Sequence, residues 1–167
     1  MDAYLLHREQ MIRRPLEEVF AFFADATNLE LLTPPWVHFR ILTPRPIKMH
    51  SDAIIHYLIR WRGLPFPWRT RILLWRPPHI FIDVQETGPY RIWHHTHRFE
   101  PTAEGTRITD TVRYAPPLGP LGGLMNALWI RRDVEAIFDY RHRRIEEVFA
   151  DSAAGCPEEI GIPAKKL

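Results

Sequence analysis

Two stretches joined by a short turn constrain this chain more than any others: Trp93-His94-His95-Thr96-His97-Arg98-Phe99 and, beyond residues 100–105, Thr106-Arg107-Ile108-Thr109-Asp110-Thr111-Val112-Arg113-Tyr114. Their patterning predicts the two strands of a hairpin. Side chains alternate across a strand, so Trp93, His95, His97 and Phe99 share one face, and Ile92, His94, Thr96 and Arg98 take the other. Folding about the turn sets Thr106, Ile108, Asp110, Val112 and Tyr114 against the first set, while Arg107, Thr109, Thr111 and Arg113 suit solvent. The result is an aromatic and aliphatic face that also carries His95, His97 and Asp110. Burying such groups unpaired costs roughly 1–3 kcal/mol each, so they need partners or a ligand. Function is expected on this face.

The rest of the chain supplies the frame. Tyr4–Ile12 reads as an opening strand. Pro15, the acidic Glu17 and Glu18, and Leu16, Val19, Phe20 and Phe23 at three- and four-residue spacing predict a first short helix. Asp25-Ala26-Thr27-Asn28 caps a second one through Leu32, and Thr33-Pro34-Pro35 ends it. Strands are then predicted over about residues 37–42, 53–61, 68–75, 80–86, 90–99 and 106–115, joined by short loops that imply an antiparallel meander. After a glycine- and proline-rich stretch, read as a flexible gateway, one long helix runs to about residue 150. Leu124, Met125, Leu128, Val134, Ile137, Phe138, Ile145 and Val148 form its apolar stripe, with a kink expected near residues 130–133. This order of elements makes an α+β domain over residues 1–150, with 151–167 expected as a flexible tail.

If Gly63-Leu64-Pro65 turns one strand pair, one sheet face collects Ile55, Tyr57, Ile59, Trp61, Trp68, Thr70, Ile72, Leu74, Phe81, Asp83, Gln85 and Trp93 beside the two histidines; a bulge would flip everything downstream of it. Leu64-Pro65-Phe66-Pro67-Trp68 is then an apolar hairpin tip: a lid, a dimer contact or a membrane-touching edge.

Composition excludes several classes. Positive charge is nearly all arginine, but 22 basic residues face 20 acidic ones along the whole length for a net +2, so no nucleic-acid binding is expected. Met1-Asp2-Ala3-Tyr4-Leu5-Leu6-His7 lacks the basic start and apolar run of a signal peptide, and no run approaches a membrane span. The single cysteine, Cys156, forms no internal disulfide; together these lead to the expectation of a cytoplasmic protein without stable membrane insertion, monomer or homodimer. Ser51 and Ser152 sit in no nucleophile turn, and the glycines at 119, 122 and 123 match no dinucleotide fingerprint.

The opening Arg14-Pro15-Leu16-Glu17-Glu18-Val19-Phe20 with Phe22-Phe23-Ala24-Asp25, and the hairpin feeding a long final helix, resemble the START-like (SRPBCC) superfamily over roughly residues 3–150. Trp75-Arg76-Pro77-Pro78, Gly88-Pro89-Tyr90, Trp93, His95, His97 and Phe99 resemble its bacterial polyketide cyclase/dehydrase-like, ligand-binding branch. The resemblance implies a helix-grip fold, a curved seven-stranded antiparallel sheet wrapped around the last helix over an apolar cavity. It also implies binding, transport or sensing of a small hydrophobic ligand, lipid, polyketide or aromatic-like. A minority of relatives catalyse cyclisation or dehydration, and no catalytic set carries over by position.

The candidate ligand wall is therefore Tyr57, Trp61, Trp68 and Ile72, then Phe81, Asp83 and Trp93, then Val112 with Leu128 and Phe138 from the helix, around His95, His97 and Asp110. His95 opposite Asp110 is the sharpest pair. It can be a structural network closed through Arg141 or Tyr140, an anchor for a ligand carbonyl or phenol, or an acid/base pair in which Asp110 orients His95. Two histidines and a carboxylate also resemble a metal site, but the histidines lie about 7 Å apart along the strand, so no metal and no cofactor is expected.

Overall fold

The computed structural model describes residues 3–117 and 119–154. Strand β1 (Tyr4–Ile12) runs into helix α1 (Leu16–Ala24), whose first turn holds Glu17 and Glu18 and whose buried side is Leu16, Val19, Phe20 and Phe23. Asp25 is extended and stops the helix. Its carboxylate accepts from the Thr27 backbone N–H at 2.9 Å, which starts the single turn Ala26–Asn28 leading into α2 (Leu29–Leu32). The two short helices after the first strand are present as expected.

Seven antiparallel strands follow one order, β1-β7-β6-β5-β4-β3-β2, so the meander closes on the first strand. They are β2 (Arg40–Ile41), β3 (Ile54–Trp61), β4 (Leu64–Arg76), β5 (Ile80–Thr87), β6 (Ile92–Thr102) and β7 (Gly105–Ala115). The predicted strand over 37–42 shrinks to two residues, because Pro35–Val37 forms a helical turn. At Gly105, with φ 139°, an added Cβ would meet the Ile12 carbonyl oxygen at 2.2 Å, so only glycine lets β7 start this close to β1.

The turn between β3 and β4 differs from expectation. Arg62 and Gly63, with φ of 50° and 82°, form it, as a two-residue turn of the primed type demands. Leu64 pairs with Trp61 and the Leu64-Pro65-Phe66-Pro67 stretch lies in β4, so it is strand and not a protruding apolar tip. Tyr57 still faces Trp68 and Ile55 faces Thr70, which preserves the inward set. Between Ile72 and Leu74 the register shifts, and Trp75 rather than Leu74 stands opposite Phe81 on the inner face.

The C-terminal helix is long but changes winding. Segment α3 (Gly119–Met125) passes through one wider π turn (Asn126–Ile130) into α4 (Arg131–Ala154). The expected flexible gateway is therefore helical from Gly119 onward. A π turn adds a residue to the ladder and rotates the face that follows. Leu124 and Leu128 consequently stand 59% and 48% exposed, while Asn126 and Ile130 are buried. The stripe that packs on the sheet is Ile130, Val134, Phe138, Ile145 and Phe149. Helix continues to Ala154, past the expected start of the tail; residues 155–167, with Cys156, lie outside the described residues.

At one end of the sheet the space under the helix is filled. Phe20, Phe23, Phe81, Phe99 and Phe149 pack there with Ile12, Ile108 and Ile145, and Phe99 is wholly buried against edges of Phe20 and Phe23 at centroid distances of 5.3 and 5.1 Å. At the other end the inner face of β3 to β6 meets the helix at its rim and at His95, which packs on Phe138 at a centroid distance of 5.4 Å, and a hollow remains between these contacts.

Candidate functional site

A cavity of about 640 Å³ lies between the inner face of β3–β6, the segment from α1 to residue 39, and α4. Its walls are aromatic for a reason visible in the pairing: Tyr57 opposes Trp68 across two strands, and Trp68 meets Trp93 edge-on at 5.3 Å. The Trp61 indole N–H donates to Asp133 Oδ2 at 2.6 Å, tying the end of β3 to α4 at the rim. Tyr57 shares a buried hydroxyl bond with Thr70, which also accepts from the Trp68 indole at 3.0 Å. Burial, then the nearby Asp83 charge, pushes the Tyr57 phenol well above its ordinary range, so it is a neutral hydroxyl.

Three adjacent strands supply a polar cluster: Asp83 on β5 and His95 and His97 on β6 at the cavity wall, with Asp110 on β7 behind them. Asp83 stands directly opposite His95, and Asp110 directly opposite His97. Each carboxylate nevertheless bonds the diagonal histidine. His95 Nε2 donates to Asp110 Oδ1 at 2.9 Å, and His97 Nε2 donates to Asp83 Oδ2 at 3.0 Å. His97 Nδ1 lies 2.8 Å from Asp110 Oδ1 in a geometry that makes no hydrogen bond. The pair His95–Asp110 anticipated from sequence is thus real as a contact but diagonal in register.

Four titratable groups this close cannot behave alike. Burial favours the neutral form of the Asp110 carboxyl, but the His97 charge and then the His95 hydrogen bond and charge overcome it and hold it well below the usual range. Asp83 is also lowered: burial opposes, and the His97 bond, both imidazoles and Arg141 prevail. Burial, reinforced by the neighbouring His97, pushes His95 down to about 4 despite Asp110. His97 is raised, because Asp110 and then Asp83 outweigh burial. The two imidazoles are therefore driven apart, His95 toward its neutral form and His97 toward its cationic one, as two close like groups require.

Of the expected ligand wall, Tyr57, Trp61, Trp68 and Ile72 line the cavity, as do Phe81, Asp83 and Trp93, then His95, His97 and Phe138. Three do not. Asp110 sits behind the histidines, Val112 is wholly buried in the packing under α4, and Leu128 is carried outward by the π turn. Arg141 is a wall residue that the sequence reading did not assign. It is 9% exposed, lies 5.1 Å over the Phe138 ring and lines the cavity. Among the described residues it has neither hydrogen bond nor ion pair, so it does not close the network as one expectation had it. Its signal is present in the sequence: position 141 falls on the Val134, Phe138, Ile145 stripe, where a cation is out of place.

A curved antiparallel sheet gripping a long helix over a hollow of this size defines a helix-grip protein. The chain belongs to the family described as polyketide cyclase / dehydrase and lipid transport, whose model matches residues 6–150. No curated protein matches the sequence. Among solved structures, protein Ms6760 from Mycobacterium smegmatis is similar at 15% identity and a TM-score of 0.65, over 91% of this chain and 98% of its own. TTHA0849 from Thermus thermophilus is similar at 20% identity and 0.61, over 87% and 99%. Ara h 8.0201 is similar at 13% and 0.60, over 90% and 99%. At these identities the likeness is one of fold. No helix of the described residues is long and apolar enough to cross a membrane.

Proposed function

We propose that this protein carries or senses one small hydrophobic molecule, a lipid, polyketide or similar aromatic compound, held between sheet and helix with its polar end against His97 and Arg141. The observation that carries this reading is the cavity itself, about 640 Å³ and walled by Tyr57, Trp61, Trp68, Trp93 and Phe138. Sites for small molecules span roughly 300–1,000 Å³, with mostly apolar walls and a few placed polar groups. Arg141 supports an oxygen-bearing ligand end, because a buried guanidinium without acceptors is costly and a ligand carbonyl, phenol or carboxylate would supply them. Native mass spectrometry of freshly purified protein tests the reading, together with titration by a lipophilic fluorophore. One molecule per chain is expected, with thermal protection of about 2.7 kcal/mol at a hundredfold excess over Kd. A chain that binds no apolar probe would reject it.

A second reading is favoured by one observation, the neutral state of His95 beside an ionised Asp110. Such a pair can take a proton from a carbon next to a carbonyl, as a cyclase or dehydratase would need. In that case His95→Ala abolishes turnover of a bound oxygenated ligand while fold and affinity survive; loss of affinity and turnover together assigns the residue to binding.

A further inference from the structure

Spacing along one strand argued against a metal here, and the folded chain removes that objection. The rings of His95 and His97 tilt together until their centroids are 3.6 Å apart. One nitrogen of each then faces the same oxygen, Asp83 Oδ2, with His97 Nε2 at 3.0 Å and His95 Nδ1 at 3.7 Å. Donor atoms from Asp83, His95 and His97 all lie within 4.8 Å of one another. An ion with bonds of about 2.0–2.2 Å holds its donors roughly 3.0–3.6 Å apart, so closure asks for about an ångström of side-chain movement.

We propose that Asp83, His95 and His97 form a site for one divalent first-row transition-metal ion, of the zinc or ferrous-iron class, with Asp110 as its outer carboxylate. Asp110 Oδ1 reaches the far nitrogen of both rings, His95 Nε2 at 2.9 Å and His97 Nδ1 at 2.8 Å. His95 is thus braced as metal-bound imidazoles typically are, by an acceptor on the nitrogen that does not ligate, and a turn of the His97 ring would bring its Nδ1 onto the same oxygen. Charge fits as well. Two carboxylates, Asp83 and Asp110, set against two imidazoles offer negative charge that a divalent ion matches. Two imidazoles exclude calcium and magnesium as preferred ions, and two imidazoles with one carboxylate are the facial set that leaves coordination positions open. All three ligands line the cavity, so the open positions face it. This site needs no cavity ligand.

The test uses the full chain purified without a histidine tag and stripped with chelator, titrated with Zn²⁺ alone and with Co²⁺ alone. Expected are one Zn²⁺ per chain with Kd of roughly a micromolar or tighter, and a visible Co²⁺ spectrum that zinc displaces. Asp83→Asn and His97→Gln weaken binding at least about tenfold, and Asp110→Asn by about 10–100-fold. His142→Ala, a half-exposed side chain of α4 that lies 3.3 Å from Glu146 and is no member of the cluster, leaves binding unchanged. Should His97→Gln misfold by circular dichroism, Asp83→Asn and the wild-type cobalt spectrum decide. Absence of saturable one-to-one binding by the wild type overturns the site, and so does binding that persists undiminished in Asp83→Asn.

Discussion

The two ends of this sheet are made from the same pairing and put to opposite uses. Under α1 the concave face is filled: Phe99 and Ile108 oppose each other on β6 and β7, and Phe20, Phe23 and Phe149 descend on them from the helices. Under α4, around Tyr57, Trp68 and Trp93, equally large side chains stand on the same face with empty space in front of them. The difference lies in what approaches from the other side. Side chains of α1 and α4 interdigitate at the first end, whereas at the second α4 and the segment from the end of α1 to residue 39 stand off from the sheet and leave the cavity between them. Close packing is thereby concentrated at the filled end, and the His–Asp cluster sits on the boundary, with Phe81 stacked on His97 at 4.1 Å.

Truncation breaks this contrast with the largest effect. Phe99→Ala is expected to cost about 3–5 kcal/mol in chemical denaturation, because its cavity cannot collapse. Phe66→Ala, a half-buried ring on the hollow side, is expected to cost about 1 kcal/mol, since fewer neighbours are lost. Equal losses would mean that the hollow end is packed in solution. Enlargement probes the same contrast in reverse. Ile108→Phe overfills the closed end and should destabilise by about 1–3 kcal/mol, whereas Ile59→Phe grows into the cavity at little cost in stability and lowers the affinity for a lipophilic fluorophore.

Much of this architecture is legible in the sequence, and the failures have physical causes. Strict alternation places Trp93, His95, His97 and Phe99 on one face, because a sheet with one buried side pins its register. The diagonal bonding of Asp83 and Asp110 is invisible, since pairing specifies which Cα atoms face each other and not how side chains lean. The β3–β4 turn is displaced from its expected position because Arg62 holds φ of 50° where asparagine or glycine is the usual signal. The bulge at Leu73 exchanges Trp75 for Leu74 on the inner face, and no residue type announces a bulge. Arg141 is legible as an odd cation on an apolar stripe, and closing a network is one role the sequence allows it; its lack of partners depends on distances across the fold.

Leu128 gives the smallest expected effect and the sharpest check on the helix. A continuous α-helical phase through Leu124, Met125, Leu128 and Val134 would aim Leu128 at the ligand, and Leu128→Ser would then weaken probe binding and stability together. With the π turn over Asn126–Ile130, the side chain is half exposed and its truncation removes little buried surface. Leu128→Ser should therefore change stability by no more than about 0.5 kcal/mol and leave fluorophore affinity unaltered. Ile130, 6% exposed two residues on, should lose about 2–5 kcal/mol as Ile130→Ala, measured in the same denaturant series. Reversal of that order would place the change of phase elsewhere and return Leu128 to the cavity wall.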